Sequence, residues 1–105
     1  MSAHAPHCDL CEAARITRWY HEDATCWVAD CEICDVPMVV WRVHGTAPSA
    51  EDLAHMTAML ENAAGGRFDE FYVDGDRRNI PDHWHAHGRP KGKSALRWWA
   101  RCVAG

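Results

Sequence analysis

The stretch that decides the fold lies between residues 82 and 90 and contains the sequence His83-Trp84-His85-Ala86-His87. Successive side chains of a β-strand point to opposite faces, so the three histidines would share one face of a sheet. We expect that face to be open and chemically active, with Trp84 buried behind it, because imidazoles exchange protons, attack phosphorus and bind metals. The alternative is a polar strand face in a chain that has 8 histidines in 105 residues.

The composition predicts one folded domain over residues 1–105. Hydrophobic residues make up 48% of the chain and six residues are tryptophan, as in globular proteins. The net charge of −4 argues against a nucleic-acid-binding protein. No apolar run has the length of a membrane span and the first residues lack a signal-peptide pattern, so we expect a cytoplasmic protein.

Four of the six cysteines form two Cys-x-x-Cys pairs, Cys8/Cys11 and Cys31/Cys34. This spacing is typical of a structural zinc site built from two knuckles. Disulfides are the alternative, but the missing secretion signal counts against them. We interpret the two remaining cysteines, Cys26 and Cys102, as small buried hydrophobic residues.

The predicted order of elements is ββ–β–α–β–β, an α+β fold with an antiparallel sheet and one long helix. A hairpin over residues 17–30 would bring the two cysteine pairs together, so residues 8–37 are predicted to form a zinc-ribbon-like hairpin. The third strand, residues 38–44, is almost wholly apolar and is therefore expected at the centre of the sheet.

The long helix is predicted to begin at Ser49, a capping residue, and to end at Gly65-Gly66. Its core face would consist of Leu53, Met56, Met59, Leu60 and Ala63. A fourth strand over residues 68–73 and the histidine strand over residues 82–90 complete the sheet. The basic, tryptophan-rich tail of residues 91–105 would hold a short helix over residues 94–103.

These features resemble the histidine triad (HIT) superfamily, which includes nucleoside-phosphoramidate and dinucleotide hydrolases. The resemblance extends over residues 8–90 and is carried by His83-x-His85-x-His87, by Cys8-x-x-Cys11, and by His44 before the helix. It implies that the middle histidine, His85, attacks an α-phosphorus to form a nucleotidyl-histidine, with His83, His87 and His44 beside it. Asp30 matches the acid that holds the ribose hydroxyls.

The turn before the triad departs from the family pattern. Family hydrolases carry a Gly/Gln/Ser-containing turn whose hydroxyl and amides hold the phosphate. Here the segment reads Arg78-Asn79-Ile80-Pro81-Asp82, in which proline removes an amide donor and Asp82 adds a negative charge. Nearby arginines offer another grip on a phosphate, because a guanidinium can bind it through two hydrogen bonds: Arg77, Arg78 and Arg89.

The resemblance also offers a second set of zinc ligands. Some family members bind zinc through residues that match Cys8, Cys11, His44 and His83. We favour the four-cysteine set, because thiolates suit zinc best and the hairpin joins the two pairs.

Three functions follow as hypotheses. The first is a HIT-like nucleotide hydrolase or transferase acting through His85 on a nucleotide or another phosphorylated small molecule. The second is a non-catalytic zinc-binding HIT-like module that binds a nucleotide or a protein partner. The third is a second metal centre at the triad histidines and His44. Family members often pair through sheet edges and the long helix, so the resemblance also admits a homodimer.

Overall fold

The computed structural model describes residues 17–31, 35–75 and 82–104, the last six of them by their backbone alone. Five strands and two helices lie within these ranges. They are β1 Trp19–Glu22, β2 Cys26–Asp30, β3 Pro37–Trp41, α1 Ala50–Arg67, β4 Phe71–Asp74, β5 His85–Pro90 and α2 Gly92–Ala104. The predicted α+β class with an antiparallel sheet is confirmed.

The sheet has the strand order β1-β2-β3-β5-β4, and every neighbouring pair is antiparallel. β3 lies at its centre, as its apolar sequence predicts. The histidine strand β5 is inserted between β3 and β4, with Val40 opposite His85 and Met38 opposite His87. The triad strand is therefore an inner strand, paired along both sides.

The two faces of the sheet carry different residues, because side chains alternate along each strand. We call the side covered by α1 the helix face; it consists of Cys26, Val28, Val39 and Ala86, packed against Met56 and Leu60. We call the other side the histidine face; it includes Trp27, Ala29, Met38 and Val40. Trp19 stacks on Trp27 there, with a ring-centroid distance of 4.8 Å.

Helix α1 begins where the sequence predicts and continues beyond its predicted end. The Ser49 hydroxyl accepts a hydrogen bond from the Asp52 amide at 3.1 Å, which caps the first turn. The buried residues are Met56, Leu60 and Ala64, spaced four apart. Leu53 lies off this row and is 40% exposed, so its predicted place in the core is wrong. The helix continues through the two glycines to Arg67.

The close approach of α1 to β5 depends on Gly88. A Cβ atom at this position would lie 2.8 Å from the Cβ of Ala64, inside van der Waals contact. Any larger residue would push the helix away from the sheet. Gly88 therefore sets the distance between the triad strand and the helix.

Three further boundaries differ from those predicted. β3 ends at Trp41, so His44 lies in an irregular segment after the strand. Phe68 is the buried C-cap of α1, its amide donating to the Ala64 carbonyl at 2.8 Å, and β4 therefore starts only at Phe71. β5 begins at His85, two residues after the first histidine of the triad.

Helix α2 follows β5 directly and is hydrogen-bonded to the segment between α1 and β4 and to the segment that precedes β3. The Glu70 amide donates to the Ser94 hydroxyl at 3.0 Å, and the Lys93 amide donates to the Glu70 carboxylate at 3.0 Å. The indole of Trp98 donates to the Asp35 carbonyl at 3.1 Å. Neither α1 nor α2, as far as their residues are described, is both long and apolar enough to cross a membrane.

Candidate functional site

The triad shows the alternation that its sequence predicts. His85 and His87 are paired with Val40 and Met38, residues of the histidine face. Ala86 belongs to the helix face, and Trp84 packs against the same cluster. The strand thus directs its imidazole side chains to one face of the sheet and its apolar side chain to the other.

The expected burial of these residues is wrong. His83, His85 and His87 are only 0%, 4% and 6% exposed, whereas Trp84 is half-buried. The histidine face is thus enclosed rather than open. Part of the reason is that the neighbouring strands β2 and β3 place apolar side chains on the same face as the histidines.

Two hydrogen bonds fix the orientation of the first two imidazoles. His83 Nε2 donates to the Trp41 carbonyl at 2.6 Å, and His85 Nδ1 donates to the His83 carbonyl at 2.8 Å. A carbonyl oxygen can only accept, so each of these nitrogens carries a proton. In the neutral ring, the lone pair therefore lies on Nδ1 of His83 and on Nε2 of His85.

Burial also controls the charge of the histidines on either side of His85. Burial lowers the pKa of His83 below its usual range. Burial, with the nearby charge of Arg89 adding to it, lowers the pKa of His87 to about 4. Within the described part of the chain, Nδ1 of His87 is buried without a hydrogen-bond partner, and its ring lies 5.6 Å from that of His85. His83 and His87 are therefore neutral near pH 7.

His44 lies beside the triad, as the family resemblance implies. Its ring is 5.1 Å from the ring of His83 and perpendicular to it. Its Nε2 is 3.2 Å from a carboxylate oxygen of Asp82, the residue that precedes the triad. The Trp84 amide, in turn, donates to the Gly45 carbonyl at 2.6 Å and holds the two segments together.

The two residues predicted to bind the nucleotide lie on different sides of the sheet. Arg89 is near the triad: its Nε donates at 2.7 Å to Asp74, which lies opposite His87 in the β4–β5 pair. Asp30 lies on the helix side, where its carboxylate accepts hydrogen bonds from Tyr20 at 2.7 Å and Arg67 at 3.0 Å. The structure thus brings Arg89, but not Asp30, to the triad.

Most of the predicted zinc ligands lie outside the described residues: Cys8, Cys11 and Cys34. The same holds for Arg77, Arg78 and Pro81. Cys31 is half-buried and packs against the apolar cluster of the histidine face. Its amide donates to the Val36 carbonyl at 2.8 Å and its carbonyl accepts from the Asp35 amide at 2.9 Å, so Cys31 lies close to the residues that precede β3.

Cys26, which belongs to neither Cys-x-x-Cys pair, is fully buried on the helix face, as predicted. Burial raises the pKa of its thiol to about 12, so the thiol stays protonated and unreactive. The side chain of Cys102 is not among those described.

A second histidine cluster, which we did not predict, lies at the β1–β2 turn. Nε2 of His21 and Nε2 of His55 each lie 2.6 Å from the same oxygen, Oδ2 of Asp23. Partial burial acts to raise the pKa of Asp23, but hydrogen bonds from both histidines and from backbone amides hold it well below its usual range. The sequence holds one clue, the spacing His21-x-Asp23 at a turn, while His55 is brought there by the tertiary fold.

This cluster is also the one group, within the described ranges, in which three potential metal-binding side chains converge. Its ligand atoms all lie within 4.8 Å of one another. The triad histidines and His44 do not form such a group, so the geometry does not support the second metal centre predicted at those four residues.

Two surface clefts lie elsewhere on the protein. One, of about 340 Å³, lies between the end of α1 and α2, beside Arg67 and Trp98. The other, of about 260 Å³, lies between β1 and α1, beside Tyr20 and His21. Neither cleft is lined by a triad histidine.

Comparison with known proteins gives no family assignment. No protein-family model, no curated protein and no solved structure matches this chain. A function must therefore be proposed from the arrangement of the chain's own side chains.

Proposed function

We propose that the protein is a HIT-like nucleotide hydrolase or transferase in which His85 is the nucleophile. The observation that carries this proposal is the hydrogen bond from His85 Nδ1 to the His83 carbonyl, 2.8 Å long. It orients the ring and leaves the lone pair of the neutral imidazole on Nε2. An imidazole held in this way is a competent nucleophile toward an activated phosphorus.

The reaction would proceed in two displacements. His85 Nε2 would form a bond to the α-phosphorus as the bond to the leaving group breaks, and the leaving group would take a proton from solvent, which the attacking water of the second step returns. Water or another acceptor would then displace the nucleotide from His85 and regenerate the imidazole. The substrate class is a nucleoside phosphoramidate or a similarly activated nucleotide.

The neighbours of His85 are suited to support such a step. The ring of His87 lies 5.6 Å from that of His85 and is neutral, so it does not repel a positive charge that develops on His85. Arg89 lies two residues beyond His87 on β5 and is ion-paired with Asp74 of β4, so it supplies positive charge near an incoming phosphate. This arginine takes the place of the family's phosphate-binding turn.

We also propose a structural zinc ion, for which two ligand sets remain. The hydrogen bonds of Cys31 with Asp35 and Val36 support the four-cysteine set of Cys8, Cys11, Cys31 and Cys34, because the chain must reverse direction around a zinc knuckle. The proximity of His44 to His83 supports the set of Cys8, Cys11, His44 and His83, for which Nδ1 of His83 has the lone pair. In either case the metal would stabilise the fold.

The two zinc sets predict different losses of metal. If the four-cysteine set is correct, Cys31→Ser/Cys34→Ser loses zinc and thermal stability while His44→Gln retains both. If the second set is correct, His44→Gln loses zinc and thermal stability while Cys31→Ser/Cys34→Ser retains both. Metal content by mass spectrometry and melting temperature by circular dichroism distinguish them.

The second candidate function is a non-catalytic HIT-like module that binds a nucleotide or a protein. The observation that favours it is the 4% exposure of His85, together with clefts that lie away from the triad. A nucleophile so enclosed can reach a substrate only if the histidine face opens.

An adduct experiment separates the two functions. The protein is incubated with an adenosine phosphoramidate, quenched without acid, and its intact mass is measured. If the protein is an enzyme, the wild type should form a nucleotidyl adduct that His85→Asn does not form. The amide of the asparagine can still donate to the His83 carbonyl, so this variant keeps the hydrogen bond. Leu96→Ser, at a residue 69% exposed on α2, is the matched control and should keep the adduct. A folded wild type that binds the nucleotide without an adduct would favour the module.

A further inference from the structure

The cluster at the β1–β2 turn is built from three segments of the chain. His21 lies in β1, Asp23 opens the turn, and His55 lies on α1, 32 residues beyond Asp23. Both imidazoles direct the same nitrogen, Nε2, at the same carboxylate oxygen, at 2.6 Å each. Two histidines from separate elements thus converge on one point.

The carboxylate is held in place from its other side. Oδ1 of Asp23 accepts hydrogen bonds from the amides of Thr25 and Cys26, at 2.8 Å and 2.9 Å. The guanidinium of Arg42 donates to the carbonyl of the same aspartate. These bonds occupy Oδ1 and the backbone and leave Oδ2 directed at the two imidazoles. Hydrogen bonds from surrounding residues orient metal ligands in the same way.

The separations of the three ligand atoms suit a small cation. In a tetrahedral zinc site with bonds of about 2.0–2.1 Å, ligand atoms lie roughly 3.3 Å apart. The two histidine–carboxylate distances of 2.6 Å would have to open by about 0.7 Å to reach this separation, and the whole set already lies within 4.8 Å. The side chains of His21, Asp23 and His55 are 36%, 27% and 40% exposed, so an ion can enter and the rings can move.

We propose that His21, Asp23 and His55 form a binding site for a divalent transition-metal ion, and that Zn²⁺ is its occupant. Two imidazoles and one carboxylate are a ligand set that zinc binds well. Three protein ligands leave a coordination position for water. The ion would replace the hydrogen bonds to Oδ2 and tie the β1–β2 turn to α1.

This site differs in chemistry from the cysteine-containing zinc sites proposed above and does not depend on them. It has no thiolate ligand, its three ligands are all described residues, and it lies between the β1–β2 turn and α1. The competing explanation is a surface cluster without a metal, in which Asp23 is hydrogen-bonded to both histidines.

Metal titration tests the proposal on the purified chain. The wild type, His21→Gln/His55→Gln and the matched control Glu61→Gln, an exposed carboxylate elsewhere on α1, are titrated with Zn²⁺ and their metal content is measured after gel filtration. The wild type and the control should hold one more zinc per chain than the double variant. The affinity for that ion should fall roughly 100-fold or more in the variant.

Cobalt distinguishes this site from a cysteine site. In the wild type, the Co²⁺ ion that the double variant no longer binds should give visible d–d absorption. It should give no thiolate-to-cobalt charge-transfer band. Equal zinc content and affinity in all three chains, with the variants folded by circular dichroism, would overturn the proposal and leave the surface cluster without a metal. If the double variant does not fold, the single variant His55→Gln on the exposed helix surface decides the question by the same titration.

Discussion

The two histidine clusters place the same side chain in opposite environments. The triad histidines are almost fully enclosed, and burial lowers the pKa of His83 and His87. His21 and His55 lie at the surface and converge on a carboxylate whose own pKa is held low. The comparison shows that enclosure keeps an imidazole neutral and oriented, whereas a shared carboxylate at the surface directs two imidazoles at a single oxygen.

The largest expected effect is a loss of stability in acid that originates in the triad. The pKa of His87 is about 4 in the folded protein and near 6.5 in the unfolded chain, so the unfolded chain binds more protons between these values. The free energy of unfolding should therefore fall as the pH is lowered from 6.5 to 4, by about 3 kcal/mol from His87. His83 acts in the same direction. Chemical denaturation at a series of pH values measures the effect.

His87→Leu is the control for this prediction. Without a titrating ring at this position, the part of the decrease that His87 contributes between pH 6.5 and pH 4 should disappear, leaving that of His83. The cluster at the turn acts in a different range, because Asp23 contributes stability that is lost only below the usual carboxyl pKa of 3.8. A decrease that is unchanged in His87→Leu would contradict the assignment to the triad.

The next effect concerns truncation of an enclosed imidazole. His85→Ala should lower the free energy of unfolding by about 2–3 kcal/mol, because it leaves a cavity and removes the hydrogen bond to the His83 carbonyl. His85→Asn should cost less, since the amide can still donate. Urea denaturation of both variants measures the difference, and a cost for His85→Ala below that of a typical surface substitution would show that the histidine face is open after all.

At the turn, removal of the shared carboxylate should have a smaller effect. Asp23→Ala should cost roughly 1–2 kcal/mol at neutral pH, because the amides of Thr25 and Cys26 lose their acceptor. Asp23→Asn keeps an acceptor oxygen for these amides and should cost clearly less. Melting temperatures in the absence of added metal compare the two variants, and equal costs would mean that the turn does not depend on Oδ1.

The smallest expected effect is that of the exposed imidazole. His55→Ala in metal-free buffer should change the free energy of unfolding by less than about 1 kcal/mol, because solvent screens the pair with Asp23. The effect should shrink further at high salt. A cost as large as that of His85→Ala would remove the contrast between the two clusters.

Much of the fold could be predicted because local patterns agree with the final packing. The apolar run of β3 indicated a central strand, and Ser49 marked the start of α1. The alternation in the triad correctly separated Ala86 from His85 and His87. Positions near the ends of elements were less predictable, as Leu53 and Phe68 show, because their burial depends on which neighbour covers them.

The sequence by itself determined the α+β class, the alternation of the triad strand and the residue types available for chemistry, because periodicity and composition are local properties. Only the tertiary structure decided that the triad is enclosed, that Asp30 lies on the opposite side from His85, and that His55 meets His21 and Asp23. These facts depend on contacts between residues far apart in the chain. Local patterns carry no information about such contacts, since they arise only when the strands and helices pack together.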